Sequence, residues 1–116
     1  MPSSLVYFDV NGLKAINDTY GHTAGDEGLL RVANVLREHV RDVDVVGRLG
    51  GDEFGVIMVQ TDIGLAFEKA QRLAGAIREH PFAWDGNEIG LEVAQGVYAS
   101  KPGESVNDAL AASAAA

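Results

Sequence analysis

Residues 43–58 read VDVVGRLGGDEFGVIM, and this stretch decides how the rest of the chain is expected to fold. Two strand-like runs, Val43–Leu49 and Phe54–Met58, stand on either side of a GGDE segment at 50–53. Short apolar runs bounded by glycine are typical of buried strands, and a Gly-Gly pair accepts the positive φ angles of tight two-residue turns. The stretch therefore predicts a β-hairpin that carries two carboxylates at its tip.

Helical and strand-like patterns alternate on both sides of this hairpin. Between Ala24 and Val40, apolar residues recur at three- and four-residue spacing while charged residues fall elsewhere, which predicts an amphipathic helix. The other predicted elements are a buried strand over Leu5–Phe8, a helical turn over Leu13–Asp18 that stops at Tyr20-Gly21-His22, a helix over Ile63–His80, a second hairpin from Phe82–Trp84 to Ile89–Tyr98, and a weakly specified last helix over Val106–Ala116. This order predicts an α+β fold with a mostly antiparallel central sheet flanked by helices.

Composition and charge limit the classes of partner. With 116 residues, of which 47% are hydrophobic and 22% charged, we expect one globular domain over residues 1–116. A net charge of -8 argues against nucleic acid and anionic membranes, because both require a basic face. The chain has no cysteine, and no apolar stretch approaches the ~20 residues of a membrane span. We therefore expect a cytoplasmic domain, although its parent protein could be anchored to a membrane through another segment.

Acidic side chains stand at two predicted strand ends. Asp9 follows the strand over Leu5–Phe8, and Asp52 and Glu53 occupy the hairpin tip. Taken singly, each acid is more commonly a turn former or a solvated charge. Taken together, they provide the oxygen ligands that suit Mg²⁺, which prefers one or two carboxylates plus substrate phosphates. With Lys14 as a nearby cation, the set indicates metal-assisted phosphoryl chemistry.

Four further residues suit a guanine nucleotide. A carboxylate such as Asp26 accepts hydrogen bonds from the N1–H and N2 amine of guanine, and the amide of Asn17 both donates and accepts. Gly50 and Gly51 lack a Cβ atom, so a base or a phosphate can approach their backbone closely. Asn17 and Asp26 together favour guanine over adenine.

Two long motifs now show a family resemblance. Residues 50–54 read GGDEF, and residues 8–22 read FDVNGLKAINDTYGH, followed by Gly25-Asp26. Both are similar to the hallmarks of the GGDEF domain family, and the likeness spans about Leu5–Tyr98. Two long motifs in the right order are far rarer by chance than short ones. The resemblance implies a nucleotidyl-cyclase or palm-like, ferredoxin-like fold. It also implies diguanylate cyclase activity, in which two GTP molecules are joined into cyclic di-GMP with release of two pyrophosphates.

The resemblance also implies roles at the acidic strand ends. Asp9, the carbonyl of Val10 and Asp52 would bind Mg²⁺ or Mn²⁺. Lys14 would lie near the terminal phosphates and steady the transition state. Either Asp52 or Glu53 would help to remove the proton from the attacking 3′-hydroxyl, and the sequence leaves that choice open.

Contacts with GTP are implied for Asn17, His22 and Asp26, with Asn17 and Asp26 on the guanine and with Gly50 and Gly51 beside the nucleotide. Each domain of the family holds one GTP, so two domains must meet face to face. The resemblance therefore implies a homodimer for catalysis, and sensor domains linked to this one in the parent protein.

A shorter motif, R-x-x-D, precedes the hairpin at Arg41 and Asp44. In the family, this spacing marks an inhibitory site that binds the product cyclic di-GMP, and the planar fork of arginine suits that task. With two fixed residues in four, the motif is also compatible with a surface salt bridge worth about 0 to 1 kcal/mol. Both interpretations stay open at this point.

The chain departs from the family pattern at its ends. It starts almost at the first strand, so we expect it to lack the family's leading segment. Residues 107–116 read NDALAASAAA, a degenerate or truncated form of the family's last helix without the lysine and arginine expected to hold the GTP phosphates. Asn11 and Leu13 are milder departures. The alternatives are therefore a weak or inactive GGDEF domain that binds GTP or cyclic di-GMP as a receptor, and a purely structural dimerisation domain.

Overall fold

A computed structural model describes residues 3–99, and the predicted helix over Val106–Ala116 lies outside this range. The elements are β1 Ser4–Asn11, α1 Leu13–Tyr20, α2 His22–His39, β2 Val45–Arg48, β3 Glu53–Met58, α3 Ile63–Arg78, β4 Phe82–Trp84, β5 Asn87–Ile89 and β6 Glu92–Ala99. Within residues 3–99, no helix combines the length and the apolar character that crossing a membrane requires.

The main sheet has four strands in the order β2-β3-β1-β6, and all of its neighbouring strands are antiparallel. Strands β4 and β5 form a separate two-stranded sheet. With β1 in the interior of the sheet and helices in the connections, the arrangement is ferredoxin-like. The predicted α+β fold with an antiparallel sheet and flanking helices is confirmed.

One face of the sheet forms the hydrophobic core. Successive side chains of a strand point to opposite faces, so alternate residues of β1 share a side. Val6, Phe8 and Val10 are buried against the apolar stripes of the long helices α2 and α3. Tyr7 and Asp9 fall on the other face and are half-buried. The side chains available for chemistry are therefore separated from the core by strand geometry alone.

Two glycines bound α1, which packs on α2. Gly12, with φ 74°, ends the turn out of β1, and Gly21, with φ 97°, joins α1 to α2. Both angles lie in the region that side chains disfavour, so glycine is required at these positions. The amide of Gly21 donates to the carbonyl of Asn17 at 2.8 Å, which closes α1. The predicted stop at residues 20–22 is confirmed.

The first hairpin forms as predicted, but the proposed reason for its turn was wrong. Strand β2 ends at Arg48 and β3 begins at Glu53, so the connection is longer than a two-residue turn. Gly50 and Gly51 are not among the residues with positive φ. The amide of Leu49 instead donates to the carbonyl of Glu53 at 2.9 Å, which holds a wider loop closed.

The second hairpin was predicted with a final strand that is too long. Strand β5 pairs with β4 and ends at Ile89, whereas β6 begins at Glu92 and pairs with β1 in the main sheet. Between them, Leu91 is 1% exposed and belongs to the core. The chain leaves the hairpin at Gly90 to bury Leu91, and the local sequence pattern cannot reveal this change of sheet because it does not show with which strand each segment pairs.

Candidate active site

The three predicted acids, Asp9, Asp52 and Glu53, lie at one end of the paired strands β1 and β3, and this end is called the acidic edge. Asp9 lies directly opposite Glu53 in the antiparallel register. The amide of Val10 donates to the carbonyl of Asp52 at 2.8 Å, which ties the hairpin loop to β1. Asp9, Asp52 and Glu53 are all half-buried. Backbone pairing therefore brings together acids that are more than 40 residues apart in the chain.

The electrostatics of this edge favour a cation. Burial raises the pKa of Asp9 above its ordinary value, and the charge of Asp52 raises it further. Within residues 3–99, the one salt bridge joins Arg41 to Asp44, so no basic side chain of that range neutralises the acidic edge. The two carboxylates repel each other where little water screens them, and a bound divalent cation would remove that repulsion.

The donor set fits a magnesium-type ion that is shared with a substrate. Asp9 and Asp52 offer two carboxylates, and Val10, which follows Asp9 and whose amide is bonded to Asp52, could add its backbone carbonyl. Although Asp9, Asp52 and Glu53 lie at one edge, no group of three or more His, Cys, Asp or Glu side chains in the described range is arranged to hold a metal ion by itself. Mg²⁺ usually takes one or two carboxylates and completes its shell with water and substrate phosphates, so the arrangement suits it.

Arg48 is a residue of this site that the sequence analysis missed. Its Nε donates to the carbonyl of Gly50 at 3.0 Å, and its Nη2 donates to the carbonyl of Gly51 at 2.6 Å. The guanidinium thus braces the loop that carries Asp52. The only signal in the sequence was a basic residue just before an acidic turn, and nothing in that pattern predicts bonds to the glycine carbonyls.

Asn17 and Gly25 meet where α1 packs on α2. Among the buried side-chain oxygen and nitrogen atoms of residues 3–99, Oδ1 of Asn17 is the one without a hydrogen-bond partner. A Cβ atom on Gly25 would collide with this oxygen and would lie 2.8 Å from Cγ of Asn17. An unpaired buried acceptor is costly, so its presence suggests that a ligand supplies the donor.

The next residue of α2, Asp26, borders a groove of about 390 Å³ between α2 and β2. Arg48 and Phe54 line the same groove. Its volume lies in the range of small-molecule pockets, roughly 300 to 1,000 Å³. A hydrogen-bonding acid thus stands beside a space that a nucleobase could enter.

A family model described as diguanylate cyclase, GGDEF domain, matches residues 1–116. The chain belongs to the GGDEF domain family. It is 36% identical over 94 residues to diguanylate cyclase A of Treponema denticola, a match that covers 81% of this chain and 25% of that protein. The GGDEF chain therefore spans about a quarter of the length of this curated relative.

Solved structures agree with this assignment. The diguanylate cyclase SiaD of Pseudomonas aeruginosa, solved with its activator SiaC, superposes with a TM-score of 0.84 at 30% identity, over 96% of this chain and 44% of that one. A sensory box/GGDEF family protein of Caulobacter crescentus superposes with a TM-score of 0.84 at 31% identity, over 98% of this chain and 74% of that one. This chain thus shares its fold with both of these proteins.

Lys14 and His22, two other residues expected to contact the nucleotide, are both exposed. Lys14 stands in the first turn of α1, just past the end of β1, and therefore on the side of the acidic edge. His22 is the first residue of α2.

The two glycines of the loop, Gly50 and Gly51, were also expected beside the nucleotide. Their carbonyls accept hydrogen bonds from Arg48, and a Cβ atom on Gly51 would meet open space.

In this GGDEF domain, the R-x-x-D residues bind each other. Nε and Nη2 of Arg41 donate to the two carboxylate oxygens of Asp44 at 3.2 and 2.8 Å. Nη2 also reaches the carbonyl of Val59 and the hydroxyl of Thr61, at 2.6 and 3.2 Å. The side chain of Asp44 is only 2% exposed. Burial raises its pKa, but the hydrogen bonds and charge of Arg41 outweigh this effect and lower it overall. The pair fastens the α2–β2 connection to the β3–α3 connection.

Three cations surround a cavity next to this pair. A space of about 190 Å³ is lined by Arg41, Asp44, Lys69 and Arg72, together with His39 from the end of α2. No pattern in the sequence indicated that Lys69 and Arg72 belong to this cavity, because they lie on α3, about 30 residues beyond Arg41. Only the packing of α3 beside the loop brings them to the motif. In a chain of net charge -8, this is a local basic site.

The raised pKa of Asp9 predicts a pH-dependent cost of folding. A carboxyl whose pKa is higher in the folded than in the unfolded state stabilises the fold below its unfolded pKa, and this stabilisation is lost as the pH rises through the folded pKa. Asp9→Asn should therefore raise the urea midpoint of the metal-free protein at pH 7. The gain in the free energy of unfolding should be less than about 1 kcal/mol, because solvent still screens the group.

The gain should shrink as the pH is lowered towards 4. Asp18→Asn is the matched control, because it removes the same charge from an exposed position on α1. A lower midpoint for Asp9→Asn at pH 7 would contradict the electrostatic argument.

Proposed function

We propose that this GGDEF domain is a diguanylate cyclase that condenses two GTP molecules into cyclic di-GMP and two pyrophosphates. The observation that carries the proposal is the convergence of Asp9, Asp52 and Glu53 at one edge of the β1–β3 pair. The relatives named diguanylate cyclases support the same reaction.

The acids divide into two roles. Asp52 acts electrostatically on Asp9, so these two are assigned to the divalent cation together with the Val10 carbonyl. When bound, Mg²⁺ or Mn²⁺ would neutralise phosphate charge that develops in the transition state. Glu53, which shares the sheet face of Asp9, is then left to take the proton of the attacking 3′-hydroxyl. This division favours Glu53 over Asp52 as the base.

In each half of the reaction, a 3′-oxygen attacks the α-phosphorus of the partner's GTP. A new P–O bond forms, the bond to the bridging oxygen of the β-phosphate breaks, and pyrophosphate leaves. The proton of the 3′-hydroxyl passes to Glu53, while Lys14 offsets charge on the departing phosphates. One site holds one GTP, so two domains must face each other, and a homodimer is part of the proposal.

Guanine recognition is assigned to the α1–α2 joint. The unpaired Oδ1 of Asn17 can accept from the amine of guanine, and the carboxylate of Asp26 can accept from its N1–H. His22 at the start of α2 is available for a further contact with GTP. The groove beside Asp26 provides a space for the base.

The decisive measurement is turnover. With GTP and either Mg²⁺ or Mn²⁺, we expect pyrophosphate and cyclic di-GMP to form in a 1:0.5 ratio from the stoichiometry of the reaction. Asp52→Ala removes a metal-binding carboxylate and should lower turnover by about a hundredfold or more. Glu68→Ala, an exposed acid on α3, is the control and should leave the rate unchanged.

A chain that binds GTP or cyclic di-GMP without turnover would replace the enzyme with a receptor module. A chain that binds neither nucleotide would leave only a structural role. Equal rates for Asp52→Ala and the unsubstituted chain would refute the assigned metal site.

A second test addresses guanine recognition. Gly25→Ala forces the Asn17 amide out of its place, so the KM for GTP should rise about tenfold through loss of one hydrogen bond in a buried site. The control is Gly75→Ala on α3, where the nearest atom to a new Cβ is 3.8 Å away. An unchanged KM for Gly25→Ala would remove Asn17 from the base site.

We also propose product inhibition at the basic cavity of Arg41, Lys69 and Arg72. Cyclic di-GMP carries two phosphodiester charges, and arginine forks suit phosphate. Arg41 is a poor residue for a test, since its loss also leaves the nearly buried Asp44 without its partner. Arg72 carries no such structural bond with Asp44 and is the better probe.

Arg72→Ala should raise the cyclic di-GMP concentration that halves the rate by about tenfold, from the loss of one charge-assisted hydrogen bond, while kcat without product stays the same. Arg78→Ala, near the end of the same helix, is the matched control. Identical inhibition curves for Arg72→Ala and the parent chain would exclude this cavity.

A further inference from the structure

The sheet face that carries the acids also carries a tyrosine that no step above uses. Tyr7 stands two residues before Asp9 on β1 and therefore points to the same face. It pairs with Gly55 on β3, while Asp9 pairs with Glu53. Tyr7 and Glu53 are thus diagonal neighbours across the strand pair, a separation that aromatic and long side chains can bridge.

Glycines flank this tyrosine on both sides. Gly55 on β3 and Gly96 on β6 lie opposite it in the two registers. A Cβ atom on Gly96 would lie 3.7 Å from Cδ1 of the Tyr7 ring, so the ring rests against that glycine. An aromatic ring that covers glycines stabilises a sheet through its carbon atoms. Phenylalanine would serve that purpose equally well, and the hydroxyl group therefore needs a separate explanation.

The hydroxyl lies in the field of the acidic edge. The pKa of Tyr7 is raised above its ordinary value, and burial is the largest cause. The charge of Glu53 is the next largest cause, and the charges of Asp9 and Asp52 and hydrogen bonding with Glu53 raise the pKa further. Glu53 is thus the strongest of the three acidic influences. A phenol hydroxyl can donate a hydrogen bond to a neighbouring carboxylate.

We propose that Tyr7 is a positioning residue that donates a hydrogen bond to one oxygen of Glu53 and orients the other oxygen towards the attacking 3′-hydroxyl. The inference rests on the proposed function, in which Glu53 accepts that proton. Glu53 begins β3 directly after the loop, so its side chain needs a contact that selects one orientation. Hydrogen bonds at active sites are often long before substrate binds and shorten in the complex.

Tyr7→Phe removes the hydroxyl and keeps the ring over the glycines. We expect kcat to fall about tenfold, the loss expected for one hydrogen bond to a charged group, while the KM for GTP stays unchanged because the positioning role gives Tyr7 no contact with GTP. Tyr20→Phe at the exposed end of α1 is the matched control and should keep both constants. An unchanged kcat for Tyr7→Phe overturns the proposal. A joint change in kcat and KM with a lower melting temperature also overturns it, because that pattern indicates a structural role.

A second readout does not depend on turnover. In protein labelled with ¹³C in the glutamate carboxyl groups, the Glu53 signal is assigned by its loss in Glu53→Gln. Tyr7→Phe should move that signal and leave the other glutamates in place, whereas Tyr20→Phe should move none. If the unsubstituted chain makes no cyclic di-GMP, the proposed function fails, and the Tyr7–Glu53 contact is still judged by this signal. A Glu53 signal that does not move overturns the contact.

Discussion

The structure depends on the antiparallel pairing of β1 with β3. Its register places Asp9 opposite Glu53 and Phe8 opposite Phe54, so that the two acids share one face of the sheet and the two core phenylalanines share the other. Because side chains of a strand alternate between faces, a slip of one residue would turn the acids into the core and Phe8 towards solvent. The burial of the apolar residues between this sheet and the long helices therefore also holds the acids in place. Packing energy and site geometry are specified by the same register.

The acidic edge is kept at an electrostatic cost. Asp9 is half-buried beside Asp52, and no basic side chain within residues 3–99 pairs with either acid. Arg48 lies close by, yet its guanidinium binds the carbonyls of Gly50 and Gly51 rather than the carboxylates. It therefore supports the loop without neutralising the acids. Unpaired charges that repel each other destabilise a fold, and such clusters occur where a ligand later neutralises them. The same reasoning applies to the unpaired oxygen of Asn17 at the α1–α2 joint.

The R-x-x-D motif shows how tertiary contacts change the meaning of a short pattern. Arg41 and Asp44 are spaced for a ligand, but in the fold they bind each other and tie two loops together. The basic character of this region comes from Lys69 and Arg72 on α3, which the motif does not contain. A four-residue pattern indicates where to look, whereas the residues that surround a cavity are assembled from distant parts of the chain.

Sequence by itself determined the α+β class, the two long amphipathic helices, the first hairpin and the family, because these follow from local periodicity and from two long motifs. It also identified the acids, since a glycine-flanked acidic turn and an acid at a strand end are visible without coordinates. Only the tertiary structure decided that the hairpin loop is wide and braced by Arg48, that the chain changes sheets at Gly90, and that Tyr7 and Glu53 are diagonal neighbours on paired strands. These features depend on which strands pair and in which register. Register is set by the packing of the whole core, and no local stretch of the chain contains that information.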